Sequence, residues 1–535
     1  MAGLETPSTG AELLVRRLRD HGVRHVFGYP GGQITPIYDA LYREPAIRHI
    51  LARDEQAAAF MADGYARASG RPGVSIAVCG PGVLNAATPL ATSFTDSIPV
   101  LLLSGQVPAA GCRLRSGYYH ENEQLKVCAT LTKRQVRANS VEAIGPELDR
   151  TFTAMQTGRP GPALFEVPLD VLRAEWNGQV TPAPPPDTLL HLPRTKNVDA
   201  LAELVAGWKR PLILVGGGVV LADAGAMVVQ LAERLGAPVF HSLGGKSAFP
   251  GDHPLLAGLP WHQATSDLSN MGPFMSPLFA EADGLLAIGC RFTQACTGSW
   301  TLRPPASLAQ IDIDSEELGR HYPVQLGIQA DAREALYFLL GQLPAAQRQP
   351  WTKVVRREPP RLGGLDLMSP LRRALPRNAI IAADITRLSY MMLADFPVYE
   401  PRTFLHPAGY VAMGYGLPAA LGAKAACPER TVVAVAGDGC FLMSGMELAT
   451  AVQEKLPVIV ILVNDGSLTL IKAIQQRRYE GRFLGVDLQN PDFQLFAQAF
   501  GVRSWQVETE NAFEKAVAET IALGVTSLIE VRLKG

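Results

Sequence analysis

The residues able to do chemistry gather at two places in the chain. Near the C-terminus, Val432-Val433-Ala434-Val435-Ala436-Gly437-Asp438-Gly439 is followed, after room for a helix and a strand, by Val463-Asn464-Asp465-Gly466-Ser467. Each aspartate closes an apolar run that suits a buried parallel strand, at the end where open α/β sheets bind ligands. Glycines beside Asp438 let backbone approach a diphosphate, and its carboxylate offers the hard oxygen that Mg²⁺ prefers. Asp465 supplies a second oxygen, the Ser467 carbonyl a third, and the amides opening a helix from Leu468 suit a phosphate. Gly-Asp-Gly alone is compatible with a plain strand-to-helix turn. The step of 27 residues from Asp438 to Asp465, at the next strand end, strengthens the reading of one site.

The second place is near the N-terminus, where Asp54-Glu55 precedes a helical stretch closing at Gly70. A carboxylate there is commonly no more than a favourable charge at a helix start. Upstream, Tyr29-Pro30-Gly31-Gly32 reads as a Pro-Gly turn, and paired glycines also let a backbone amide approach a carbonyl that is gaining negative charge.

The elements that must position these groups follow from pattern and length. A chain of 535 residues exceeds one core, and at roughly 100 to 200 residues per domain it predicts about three. Short β-rich runs (75–79, 100–104, 164–167, 212–215, 285–288, 380–383, 432–435, 459–463 and 528–531) alternate with helical stretches, the rhythm of doubly wound parallel sheets. Proline-rich stretches at 181–193 and 343–361 divide the series into domains 1–185, 186–355 and 356–535. The first and last thirds share a pattern: Ser75 to Gly82 leads to Leu90-Ala91-Thr92 and then Pro99, and Val432 to Gly439 leads to Leu448-Ala449-Thr450 and then Pro457. A pair of related domains facing each other is expected.

Composition narrows the partners. A net charge of −1 gives no broad field for nucleic acid or anionic lipid, which leaves a small molecule. Seven scattered cysteines without a CxxC pair argue against a disulfide framework and a zinc site, and suit a reducing cytoplasm. The N-terminus reads as a helix capped by Thr9 rather than a secretion signal, and the longest apolar run, 457–463, is far short of the ~20 residues of a membrane span.

With these motifs the chain resembles the thiamine diphosphate-dependent enzymes, in their acetolactate synthase-like branch. The resemblance implies three doubly wound parallel-sheet domains, the first and third related (pyrimidine-binding and diphosphate-binding) and the middle one Rossmann-like. It implies Mg²⁺ on Asp438, Asp465 and Ser467, with Gly437, Gly439, Cys440 and Leu468 along the diphosphate. Asp465 stands where most members carry asparagine. In the segment 408–420, Met413 matches the apolar side chain that wedges between the two cofactor rings, although by composition alone it is core filler. The loop Asp384 to Ser389, with Thr386, is the other phosphate-side element. Glu55 matches the carboxyl that hydrogen-bonds N1′ of the aminopyrimidine and favours the imino tautomer that removes the C2 proton. Tyr29, Pro30 and Gly31 lie along the cofactor, and the Gly32 amide faces the reacting carbonyl. His120, in Tyr119-His120-Glu121, falls where the family has an aromatic-Gln-Glu element; it is either a substrate contact or a surface-loop histidine. The likeness continues through 215–220, 248–258, 289–298 and 310–320, and implies a homodimer or dimer of dimers in which Glu55 and Asp438 meet across subunits.

Departures from acetolactate synthase cluster on the acceptor side. The arginine expected in GxRFDDRVTG is Ala295, GMLGMHG is replaced by Gly258-Leu259-Pro260-Trp261-His262-Gln263-Ala264, and the tryptophan after the metal motif aligns with Ile474. Losing a charge-assisted contact to a second carboxylate costs on the order of 1.5 to 3 kcal/mol. The expected activity is therefore non-oxidative decarboxylation of a 2-oxo acid through a C2 carbanion and enamine, with acetolactate synthase-like carboligation as the alternative. The changed GMHG segment argues against FAD, while Gly216 to Gly218 and Arg291 could still accept a nucleotide. A nicotinamide enzyme fits poorly, because Gly216-Gly217-Gly218 lacks GxGxxG.

Overall fold

A computed structural model describes residues 7–179, 195–263, 273–355 and 358–533. The boundary expected at 185, its proline-rich stretch and Ala264 lie outside the described residues, and the boundary expected at 355 adjoins 356–357, which are also outside them.

Three six-stranded sheets, each parallel throughout, carry the chain. The first comprises β1 (His25–Gly28), β2 (Arg48–Leu51), β3 (Gly73–Ala77), β4 (Val100–Gln106), β5 (Arg134–Arg137) and β6 (Ala163–Pro168), in the order β2-β1-β3-β4-β6-β5. The middle sheet comprises β7 (Pro211–Val215), β8 (Val239–His241), β9 (Leu256–Gly258), then, after an antiparallel hairpin of β10 (Trp261–Gln263) and β11 (Pro273–Met275), β12 (Gly284–Ile288), β13 (Leu308–Asp312) and β14 (Leu326–Gln329). Its order, β14-β13-β12-β7-β8-β9, is the Rossmann order with its reversal between β7 and β12. The last sheet comprises β15 (Ile380–Ala383), β16 (Phe404–Leu405), β17 (Val432–Gly437), β18 (Ile459–Asn464), β19 (Arg503–Val507) and β20 (Ser527–Arg532). Its order, β16-β15-β17-β18-β20-β19, repeats that of the first sheet strand for strand. The relationship read from the two Leu-Ala-Thr segments therefore extends to the whole sheet.

The first and third units share a core. Phe60, Met61 and Tyr65 of the helix Glu55–Ser69 are buried with Tyr415, Leu417 and Leu421 around the helix Gly416–Ala426. Small residues let the two backbones touch: a Cβ on Gly64 would stand 2.2 Å from the Ala419 carbonyl oxygen. The paired threonines act reciprocally across the same boundary. Thr92 Oγ1 donates to the Tyr410 carbonyl, just past β16, and Thr450 Oγ1 reaches the Leu51 carbonyl, at the end of β2, both at 3.0 Å. One turn further along each helix is a carboxylate that accepts backbone N–H groups from the other unit. Asp96 takes Ala408 and Gly409, at 2.8 and 2.9 Å, and Glu454 takes Leu51 at 3.3 Å. The clamps thus hold the roots of the two segments that carry Met413 and Glu55.

Candidate active site

The C-terminal constellation is built on the carboxyl ends of β15, β17 and β18. Asp438 opens the helix Asp438–Ser444 directly after β17 and is 3% exposed. Its Oδ1 accepts the Gly439 N–H at 2.9 Å, and its Oδ2 accepts the Gly466 N–H at 2.9 Å and the Asn490 amide at 2.7 Å. The Gly466 contact ties the two glycine-rich turns together, and Gly466 adopts φ +65°, a conformation that favours glycine. Burial pushes the Asp438 carboxyl up from its ordinary value, and the nearby Asp465 charge adds to this against the three hydrogen bonds. Asp465 accepts the Thr469 hydroxyl at 2.6 Å, and the Arg387 guanidinium stands 3.9 Å away.

The remaining C-terminal candidates converge on the same turns. A Cβ on Gly437 would stand 3.2 Å from Thr386 Oγ1; one on Gly439 would stand 2.9 Å from a Leu468 methyl and 3.5 Å from Met413 Cε. Cys440 Sγ lies 3.0 Å from the Ile385 carbonyl. Asp384, fully buried, accepts the amides of Ile385, Gly414 and Gly416 at 2.8, 3.1 and 2.7 Å, which fixes the turn carrying Met413. Two details differ from the sequence reading. The helix begins at Thr469, not Leu468, and the Leu468 amide is already donated to the Val486 carbonyl at 2.7 Å, so it is not free for a phosphate. The Ser467 hydroxyl is likewise spent on Val486, which leaves its carbonyl as the oxygen to offer. Asn490 was missed. Its Nδ2 joins Asp438 to Asn464 Oδ1 at 3.0 Å while its own Oδ1 is buried without a partner. A lone asparagine in a polar loop gives no sequence signal for that.

The N-terminal constellation occupies the carboxyl edge of the first sheet. Glu55 begins the helix Glu55–Ser69 after β2, and the helix closes on Gly70 at φ +71° as expected. Its carboxylate accepts the Asn85 amide at 3.0 Å and lies 3.0 Å from where a Cβ on Gly82 would be. Tyr29 is exposed, Gly31 is pressed against Val78 (a Cβ would be 2.7 Å away), and Gly32 has open space on its Cβ side. Pro30 lies between them on the turn that leaves β1. His120 adopts φ +67°, stacks on Tyr119 at 3.8 Å, and has a buried Nδ1 without a partner. Its backbone oxygen would stand 2.9 Å from a Cβ on Gly80, which brings His120 to the loop that meets Glu55. Within the chain, Glu55 and Asp438 each bond to groups of their own unit.

A cavity of about 290 Å³ lies elsewhere, at the strand-order reversal of the middle sheet, lined by Arg67, Arg159, Gly217, Gly289, Arg291 and Arg402. Arg291 spends one donor on the Thr95 carbonyl at 2.7 Å. Two of the acceptor-side departures meet near by in the chain, since Trp261 Nε1 donates to the Ala295 carbonyl at 2.8 Å. Among the described residues no group of three or more His, Cys, Asp or Glu side chains could hold a metal, so a cation here needs backbone or ligand oxygens besides Asp438 and Asp465. No described helix is long and apolar enough to cross a membrane.

Comparison with known proteins gives the class. Three family models match, "Thiamine pyrophosphate enzyme, N-terminal TPP binding domain" over residues 8–127, its "central domain" over 198–339 and its "C-terminal TPP binding domain" over 384–531. The chain belongs to the thiamine pyrophosphate enzymes. Among its relatives are the acetolactate synthase large subunit of Corynebacterium glutamicum, 35% identical over 92% of this chain and 81% of that one, and the "Probable 2-ketoarginine decarboxylase AruI" of Pseudomonas aeruginosa, 34% identical over 98% and 94%. A solved structure from Mycobacterium smegmatis, itself only provisionally titled a thiamin diphosphate-dependent enzyme, shares the fold with a TM-score of 0.84 at 23% identity, covering 99% of this chain and 100% of that one.

Proposed function

We propose that this protein is a thiamine diphosphate- and Mg²⁺-dependent decarboxylase of 2-oxo acids. The observation that supports it most is the pair of strand ends joined by Asp438: a buried carboxylate, a second carboxylate at Asp465 and the Ser467 carbonyl offer hard oxygens beside glycine-rich backbone. The donor set fits the group. Two like charges close together with one of them desolvated call for a cation, and Asn490 Oδ1 is a buried acceptor still awaiting a donor. Gly437 and Gly439 leave the space that a side chain would fill, between Thr386, Met413 and Leu468.

The bound cofactor supplies an electron sink for the bond to the departing carboxylate. The chain's residues do the rest. Asp438, Asp465 and Ser467 hold the metal, Met413 supports the bent conformer, and Glu55 holds a proton at the ring nitrogen. The Gly32 amide stabilises charge on the substrate carbonyl, and His120 offers its unbonded Nδ1 to the substrate. A homodimer or dimer of dimers, with Glu55 of one chain facing Asp438 of another, agrees with the exposed Tyr410, Val411, Leu442, Met443 and Met446 around the C-terminal site. Domain limits near 185 and 355 and a cytoplasmic location are part of the same reading.

Decarboxylation is preferred to carboligation because Ala295 carries no charge for a second 2-oxo acid. The synthase relatives favour the second reading, in which the same site joins two carbonyl compounds. Chromatographic product analysis across aliphatic, aromatic and guanidino 2-oxo acids separates them: an aldehyde supports the first, a 2-hydroxy-3-oxo acid the second.

A further inference from the structure

We infer that Glu447 is a positioning residue for the segment carrying Glu55, and that it performs this role as the neutral acid. The inference rests on the proposed role of Glu55. Glu447 is 1% exposed and ends the short turn Gly445–Glu447 ahead of the helix Leu448–Gln453. Its Oε1 accepts the Arg53 N–H at 2.9 Å, two residues before Glu55. Its Oε2 lies 2.6 Å from Thr450 Oγ1, which lies 3.0 Å from the Leu51 carbonyl.

Burial and the available hydrogens together favour the neutral acid. A threonine hydroxyl has one proton, while a carbonyl and an ionised carboxylate can only accept. With Glu447 ionised, Thr450 has one donor for two acceptors, and the Leu51 carbonyl is left with the longer Arg53 Nη1 contact at 3.3 Å. With a proton on Oε2, Glu447 donates to Thr450 and Thr450 donates to Leu51, and every group is satisfied. Burial pushes the Glu447 carboxyl up to about 7, with Asp54 adding to it and Thr450, the Arg53 amide and the Arg53 guanidinium opposing. Besides Arg53 and Asp54, the charged groups on this side of the boundary include Glu55, and Glu454 with its partner Arg48. The matching clamp in the other unit has Pro89 in place of Glu447, and there Thr92 bonds the Tyr410 and Thr88 carbonyls rather than a carboxyl. The acid is therefore an addition on the Glu55 side alone.

The test follows C2-proton exchange of thiamine diphosphate in the holoenzyme across pH, comparing wild type with Glu447→Gln, Glu447→Ala and Glu55→Gln. Gln is a permanent neutral donor and acceptor. The ratio of wild-type to Glu447→Gln exchange should fall by about tenfold as Glu447 ionises between about pH 6 and about pH 8, while Glu447→Ala should be slow throughout. A flat ratio, or Gln as slow as Ala at low pH, overturns the inference. If Glu55→Gln exchanges like wild type, the role of Glu55 has failed, a result distinct from a normal Glu55→Gln defect with a flat ratio. Hydrogen-deuterium exchange of the wild-type 50–56 segment, corrected for the intrinsic rate, needs no variant: protection that drops over the same range supports the inference and unchanged protection contradicts it.

Discussion

Gly422 lies against Met61 across the boundary of the first and third units, so closely that a Cβ on Gly422 would stand 1.8 Å from the Met61 carbonyl oxygen. The obstacle is backbone, so no rotamer relieves it. Because the two helices carry the roots of both constellations, their separation sets the geometry of the site.

Gly422→Ala should therefore destabilise the protein by about 1 to 3 kcal/mol, the usual cost of overpacking. Gly207, with nothing within 4 Å of its Cβ position, is the control, and Gly207→Ala should leave stability nearly unchanged. Thermal inactivation at a fixed scan rate compares the two, and equal behaviour would mean that the helices can part without loss.

Asp438 gives a prediction in which apo and holo protein move in opposite directions. Its folded-state pKa is raised above the unfolded value by burial, so without a cation the ionised form costs stability: that cost is absent below the unfolded pKa and grows as pH rises through the folded one. Asp438→Asn should accordingly raise the melting temperature of the stripped protein at neutral pH and abolish the stabilisation gained on adding Mg²⁺ with thiamine diphosphate. Calorimetry with and without the cofactor reads both, and unchanged stabilisation by cofactor would remove Asp438 from the metal site.

Much of this was legible from the chain. The central strands β4, β7, β12, β17 and β18 are buried on both faces and so read as apolar runs. The edges did not read. β2, β5, β14 and β19 mix exposed and charged positions, and β16 has only two residues. Asp438 and Asp465 were visible because each follows an apolar strand and adjoins glycine, and Glu55 because it opens a helix in a segment that resembles the family's. Asn490 and Glu447 act through hydrogen bonds to residues between 26 and 394 positions away, and nothing local marks such partners.

Glu55→Gln keeps size and hydrogen-bonding capacity but removes the titratable proton, and the Asn85 contact survives the change. General acid-base contributions are commonly about 10² to 10⁴-fold, so turnover should fall at least about a hundredfold while the Mg²⁺-cofactor complex still forms. Cofactor titration alongside steady-state rates shows whether binding and chemistry separate. A variant that turns over at near wild-type rate removes Glu55 from the catalytic centre.

The fate of the substrate after carbon dioxide leaves is read from the stoichiometry of 2-oxo acid consumed to carbon dioxide released, with the products identified, in the Mg²⁺- and cofactor-loaded enzyme. One 2-oxo acid consumed and one aldehyde formed per carbon dioxide is the predicted result. Two 2-oxo acids consumed per carbon dioxide, with a 2-hydroxy-3-oxo acid as product, would show that Ala295 does not prevent the second substrate from docking and would contradict the decarboxylase assignment.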